Sequence, residues 1–273
     1  GAAAPPDLEV VLEHRAEDGI GFQVWPCAHV LSELLLSEDC PVACLRDAGA
    51  GGGEGGAAPR ILELGAGPGL VGIACALGRR GAEVTFTDTE EVSPLTARNV
   101  ALNGLDVPGG AQVATLAWGT DVREAWGRGH FDVVLGSDVT YFEHLHRPLL
   151  LTLLQLAGAG TEVVLAHARR KTQFERWAEV FGRHFDIDEL SEHAPPPGAE
   201  DTARIAILRL RLRAPVSDAD LDRELAALRA DDTEALLTRL ALLESDLDTI
   251  EAEEEGGGAR GDGAPGAGAG EKK

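Results

Sequence analysis

Residues 63–72 read Glu-Leu-Gly-Ala-Gly-Pro-Gly-Leu-Val-Gly, and no other stretch constrains this chain as much. They close a short apolar run, Arg60–Leu64, that reads as a strand, and they open an apolar segment from about Gly69 to Leu77 that reads as a helix. Glycines at such a junction let the backbone take positive φ angles and approach a ligand closely. The helix start beyond them offers unbonded N–H groups and the positive end of a dipole. A turn of this kind belongs to an open α/β sheet, where ligands bind beyond the carboxyl ends of the strands.

The residues downstream keep the same alternation. Glu83–Thr87, Val113–Leu116 (weaker), Phe131–Gly136 and Glu162–Ala166 have strand character, and Ser93–Leu102, His144–Leu156 and Phe174–Phe181 have helix character. Strands alternating with helices pair in parallel through right-handed crossovers, which predicts a doubly wound, mostly parallel α/β sheet. Ala203–Leu212 alternates with one phase slip and suits a sheet edge or a hairpin. Upstream, Val24–Leu36 carries apolar residues at helical spacing, and the glycine-rich stretch Asp47–Ala58 reads as a surface loop. The predicted organisation is a flexible lead-in over 1–18, a main domain over 19–214, an extension over 215–255 and a disordered tail over 256–273.

Charge separates these parts. The chain carries a net charge of −22, and residues 215–255, with 14 acidic and 3 basic side chains, hold half of it. Leu221, Leu225 and Leu228, then Leu236, Leu240, Leu243, Leu247 and Ile250, recur at spacings of three and four, so this acidic extension is predicted to be helical, packed on its own domain or held for a partner. Such a surface repels phosphate backbones and anionic lipid, and it favours a basic protein partner. No basic-then-apolar leader opens the sequence and no apolar run is long enough for a span, so no membrane association is expected. Cys27, Cys40, Cys44 and Cys75 lack metal-ligand spacing and are expected as free thiols in a cytoplasmic protein, with the nucleus as a second compartment. Methionine is absent even at position 1, which points to a trimmed start.

Around the glycine turn, two cofactor classes stay open. Gly67-x-Gly69-x-x-Gly72 satisfies the dinucleotide fingerprint, with Asp88 near the place of a ribose-binding acid. A sulfonium nucleoside would use the same geometry. Glu63 stands where a carboxylate can meet a cationic amino-acid moiety, and Asp88 ends the second strand. Trp118-Gly119 follows the third strand, and Ser137-Asp138-Val139-Thr140-Tyr141 closes the fourth. All converge on one crevice.

These pieces together resemble methyltransferase family 16, the methyltransferase-like protein 21 type of seven-strand protein-lysine methyltransferases. The resemblance is carried by Val24-Trp25-Pro26, by Leu62 to Gly72, and by Thr87-Asp88 with Asn99-Val100-Ala101-Leu102-Asn103. It continues through Trp118-Gly119 and Phe131 to Tyr141, and runs in family order over about residues 20 to 212. It implies a Rossmann-like class I methyltransferase fold with a seven-stranded sheet, and S-adenosylmethionine as cofactor. It implies further that Trp25, Glu63, Gly65, Ala66, Gly67, Asp88, Trp118 and Ser137 line the cofactor pocket, and that Asp138 and Tyr141 stand where the target amine enters. The implied partner is a protein substrate: translation elongation factor 1-alpha, a heat-shock chaperone or an AAA ATPase. A monomer is expected. Two features depart from the family: Pro26 stands where members often have Asp, and the acidic extension after residue 215 lies outside the resemblance.

Methyl transfer of this kind needs alignment of donor and acceptor and no metal. A lysine amine must lose its proton first; Asp138 would orient the amine or relay that proton, and Tyr141 would wall the lysine channel. Other readings attach to the same residues. The turn alone would also fit a nicotinamide oxidoreductase, although residues 215–273 could not supply its substrate half. A methyltransferase for nucleic acid or a small molecule is a third reading; enzymes acting on base amines typically place Pro-Pro within the tetrad, and Asp138-Val139-Thr140-Tyr141 has none. A non-catalytic scaffold is the fourth. Asp138 alone would serve as a helix N-cap, and Asp132 is expected to be structural. His144, His146 and His167 are expected at the surface or rim, and Arg169-Arg170-Lys171 at a solvated helix start.

Overall fold

In chain order the strands are β1 (Arg60–Leu64), β2 (Glu83–Asp88), β3 (Gln112–Thr115), β4 (Val133–Ser137), β5 (Glu162–Ala168), β6 (Phe185–His193) and β7 (Ile205–Leu212). They form one seven-stranded sheet in the order β3-β2-β1-β4-β5-β7-β6, parallel except where β7 runs antiparallel to both of its neighbours. This is the doubly wound, mostly parallel α/β sheet that the alternation predicts. The computed structural model describes residues 8–49, 58–79, 81–108, 110–170 and 173–231. The chain divides into two units, the first ending at Leu225 and the second beginning at Ala226. The glycine-rich residues 50–57, the later part of the predicted acidic helix and the predicted tail lie outside the described residues.

Helices α1 (Pro26–Leu36), α2 (Ala43–Gly49), α3 (Leu70–Gly78), α4 (Ser93–Leu102), α5 (His146–Leu156) and α6 (Gln173–Phe181) connect or flank the strands. α1 begins at Pro26, where proline is well placed because the first helical N–H needs no partner. It packs on α3 and reaches β4, β5 and β7. Val71, Ile73 and Cys75 of α3 join Leu31 and Leu35 of α1 in the core. β1 and β4 are buried on both faces, as strands beneath helices on each side must be. Asp132 is structural: it accepts from the Arg60 backbone N–H at 2.9 Å and from its guanidinium at 3.1 Å, tying the starts of β1 and β4 together.

Three expectations need correction. Of the two readings of Ala203–Leu212 the hairpin holds and the edge does not: β7 lies inside the sheet, and β6, which the sequence reading leaves out, is the outer strand. Their hairpin accounts for the phase slip. Ile205 to Leu208 are covered on both faces, and β6 opposite them shifts register between Glu189 and Ser191. The described part of the lead-in is strapped down. Val11 and Glu13 exchange backbone hydrogen bonds of 2.7–2.9 Å with the side-chain amides of Asn103, which follows α4, and of Asn99 within it. Residues 47–49 of the predicted glycine-rich loop belong to α2.

Beyond β7 a helix α7 runs over residues 218–231. Within the first unit, Leu221 and Leu225 are buried. Asp222 pairs with Arg123 at 2.5 Å and Glu224 with Arg147 at 3.1 Å.

Candidate functional site

The chain switches sides of the sheet between β1 and β4, whose carboxyl ends lie side by side, with Leu64 in register with Gly136. A crevice opens at such a switch point because the chains leaving the two strands turn in opposite directions. Gly65, Gly67 and Gly69 leave β1 at φ +59°, +53° and +86°, the left-handed region that side chains resist. A Cβ on Gly65 would lie 3.0 Å from the Trp118 ring and 3.1 Å from Val139, and one on Gly67 would lie 3.0 Å from the Gly21 carbonyl oxygen. The turn therefore meets the segment after β3, the loop after β4 and the residues just before α1 at close range. Ala66, between these glycines, is buried and donates its N–H to Thr87 O at 3.0 Å.

Two acids hold this turn. Asp88, at the end of β2, accepts from Gly67 N–H at 2.7 Å through one oxygen and from Thr89 N–H at 2.7 Å through the other. Glu63 accepts from Gly72 N–H at 2.8 Å in the first turn of α3. Its second oxygen is buried and has no hydrogen-bond partner among the described residues. Burial pushes the Glu63 carboxyl up to about 8, against the pull of the Gly72 N–H, and the charge of Asp88 adds to the rise. Burial also raises Asp88, while the N–H groups of Gly67 and Thr89 oppose it.

This donor set fits a sulfonium nucleoside. A neutral buried carboxyl with one unused acceptor suits an incoming cationic amine, which would restore its charge. The Asp88 carboxylate at the tip of β2 retains lone pairs for two hydroxyls. The half-buried Trp118 ring lies against Gly65, and the N–H of Gly119 is fixed by Thr152 Oγ1 at 2.9 Å. Ser137 ends β4 in register with Ala166.

The acceptor side lies next to it. A cavity of about 250 Å³ is lined by Ile20, Trp25, Asp138, Tyr141 and Arg170. Trp25 caps α1 and donates its indole N–H to Ile20 O at 3.0 Å. Asp138 is buried and takes φ +57°, the one positive value among the described non-glycine residues. Its carboxylate caps no helix. Instead both oxygens accept from Arg170, at 2.8 and 2.5 Å. The Arg170 Nε donates to Asp201 at 2.7 Å, and the guanidinium lies 5.7 Å from the centre of the Trp25 ring. Burial works against the Arg170 charge, but the hydrogen bonds and charges of Asp138 and Asp201 outweigh it and raise its pKa. Tyr141 is also raised, first by burial and then by the charges of Asp88 and Asp138.

Trp25, Asp138 and Tyr141 line the cavity, and the other predicted site residues belong to the glycine turn, to the carboxyl ends of β2 and β4, to the segment after β3 or, in one case, to the layer beneath. Glu63 is the one beneath, turned in toward α3. Arg170 corrects its own reading: it is a wall of the cavity and not a solvated helix start, while Lys171 lies outside the described residues. Its place just past β5, the neighbour of β4, was the available signal. Asp201, in the proline-rich loop before β7, gave none. His146 and His167 are buried and not on the rim. His167 Nδ1 shares a 2.6 Å hydrogen bond with Thr140 Oγ1, and His146 Nε2 lies 2.9 Å from Thr140 O, so both support the loop carrying Asp138 and Tyr141. His144 is exposed at the surface, as expected, and stacks on the exposed Phe142.

Comparison with known proteins identifies a family and several relatives. The family described as Lysine methyltransferase matches residues 5–183. "Protein N-lysine methyltransferase METTL21A" of Danio rerio is 37% identical over 48% of this chain, a match that spans 59% of the zebrafish protein. "EEF1A lysine methyltransferase 3" of Mus musculus is 38% identical over 67% of this chain and 71% of the mouse protein. Among solved structures, the YcgJ protein of Bacillus subtilis aligns with 68% of this chain and 99% of its own, at 12% identity and a TM-score of 0.49. With 179 residues under one family description and a relative matched over most of its own length, the chain belongs to the lysine methyltransferase family, enzymes that take their methyl group from S-adenosylmethionine.

Proposed function

We propose that this chain methylates a lysine side chain of a protein substrate, with the amine entering between Trp25 and Tyr141 to meet Asp138. The observation that carries the reading is the cavity holding those side chains, formed by the residues that flank the glycine turn: Ile20 precedes Gly21, and Asp138 precedes Val139. When bound, S-adenosylmethionine supplies an electrophilic methyl group; the lone pair of the amine forms the new C–N bond as the C–S bond breaks and its electron pair stays on sulfur. Glu63 would hold the cationic amine of the cofactor's amino-acid end, Asp88 would hold its ribose hydroxyls, and Trp118 would flank the adenine. The Tyr141 hydroxyl, protonated at neutral pH, accepts from the lysine amine or donates to it and fixes its approach. Gains of several kcal/mol come from such alignment alone.

The mouse relative's printed name favours elongation factor 1-alpha as the substrate, ahead of a chaperone or an AAA ATPase. The net charge of −22 suits a basic partner and opposes a nucleic acid. A monomer suffices, since the crevice is built within one chain.

The test has two arms. Titration with S-adenosylhomocysteine should saturate, and radiolabelled cofactor with a methylation-deficient lysate should label a protein band at a lysine. Asp138→Ala should reduce transfer by about 100-fold or more, with S-adenosylhomocysteine affinity held within about twofold. Saturable binding of NADH alone, or label that maps only to nucleic acid, would overturn the reading.

A further inference from the structure

Arg170 and Asp201 take part in nothing assigned so far, yet they complete the wall that the amine would meet. Arg170 gives two hydrogen bonds to Asp138 and its Nε to Asp201, and its face covers Trp25. All three of its nitrogens are thereby committed, so the guanidinium is fixed in place. Asp201 is fixed in turn: its other oxygen accepts from Ala203 N–H at 3.0 Å, and its pKa lies below the usual value because the Ala203 N–H and Arg170 outweigh its burial. Two carboxylates thus face one guanidinium. Arg170 alone would cancel the charge of Asp138 at the cavity wall; with Asp201 present, one negative charge is left over.

We propose that Asp138, Arg170 and Asp201 act as one electrostatic unit, in which Arg170 positions the Asp138 carboxylate and Asp201 leaves the unit one net negative charge for the cationic nitrogen of the target lysine. This rests on the lysine-amine reading above. Transfer moves the positive charge from sulfur to the acceptor nitrogen, so a fixed negative charge beside that nitrogen lowers the barrier, whereas a neutral Asp138–Arg170 pair would not. Arg170 and Asp201 are positioning residues in this scheme, acting through Asp138.

The unit makes a prediction that simple structural support does not. Asp201→Asn keeps the acceptor for Arg170 and removes the leftover charge; it should lower kcat by about 30-fold while S-adenosylhomocysteine affinity stays within about twofold. Arg170→Gln frees the Asp138 carboxylate and should also slow transfer. The double variant Arg170→Gln/Asp201→Asn restores one net negative charge and should turn over about fivefold or more faster than Asp201→Asn alone. Asp201→Glu should stay within a few-fold of the unsubstituted chain. Asp201→Ser, which keeps an acceptor for the Ala203 N–H, serves if the asparagine variant loses its melting transition. A double variant that binds S-adenosylhomocysteine normally yet turns over no faster than the single overturns the unit and leaves the lysine reading intact. Failure of the unsubstituted chain to label any lysine removes both.

Discussion

Glu63 and His167 are buried groups with opposite tendencies, and together they shape how stability depends on pH. Glu63 keeps its proton in the folded chain up to about pH 8, whereas an exposed carboxyl loses it near 4.5; its contribution is complete below 4.5 and is lost as pH rises through 8. His167 is pushed down to about 4 from 6.5, first by burial and then by the charges of Arg169 and Arg170; its contribution is complete above 6.5 and is lost as pH falls through 4. Between pH 4.5 and 6.5 the two slopes oppose each other, and from 6.5 to 8 only Glu63 acts. The melting temperature should therefore fall across that upper interval, and Glu63→Gln should flatten it. At pH 7 the same variant, neutral in both the folded and the unfolded chain, is spared the protonation of a carboxyl that unfolding would ionise, and should melt above the unsubstituted chain. It should nevertheless bind S-adenosylhomocysteine about tenfold more weakly or worse, since a charge-assisted hydrogen bond is lost. Calorimetry at pH 7 checks this, and unchanged affinity would remove Glu63 from the cofactor site. Asp138 obeys a different constraint. At φ +57° asparagine is tolerated, whereas the longer glutamate pays for the left-handed backbone. Asp138→Glu should thus melt lower than Asp138→Asn, in spite of its conserved charge.

At the scale of elements, α4 shows how much one side chain can join. Asn99 is fully buried and exchanges two bonds with Glu13 while donating a third to Pro68 O at 2.9 Å in the glycine turn. Asn99→Ala would leave the partners of these bonds unpaired, and should cost about 2 kcal/mol or more by urea unfolding. A cost below about 0.5 kcal/mol would mean that the strap is held elsewhere. The sequence made Ser93–Leu102 legible as a helix and Asn99 and Asn103 as part of a motif, but the motif did not say what the amides do: their partners lie 86 and 92 residues away. The strands with apolar runs, β1, β2, β4 and β5, were legible for the same reason that they are central, because both faces are covered. β6 was not, because its outward residues are acidic and its bulge breaks the alternation. The glycine turn and the acids beside it were readable from local order. Arg170, Asp201 and the buried histidines were not, because what defines them is the company they keep across the sheet.

For the molecule as a whole, charge and burial have separate tasks. The start of α7 is held by ion pairs of Arg123 and Arg147 and by the buried Leu221. Exposed pairs of this kind contribute little, so Arg123→Ala should change stability by less than about 1 kcal/mol, while Leu221→Ala should cost about 2–4 kcal/mol. Chemical denaturation measures both, and the reverse ranking would make the extension an electrostatic attachment. The net charge of −22 should instead be felt in encounter. kcat/KM toward a basic protein substrate should fall steeply with added salt while kcat holds; a flat salt response would leave shape alone to select the partner. The two margins of the sheet bear on the same question. On one side β3 is four residues long. On the other, β6 carries Asp186, Asp188, Glu189 and Glu192, tied to arginines in or beside β7 and just past β5, and a register shift interrupts its ladder to β7. Neither border offers a neighbouring polypeptide a straight ribbon to extend, so strand addition is disfavoured at both margins, and crowding should not zip one copy onto the next.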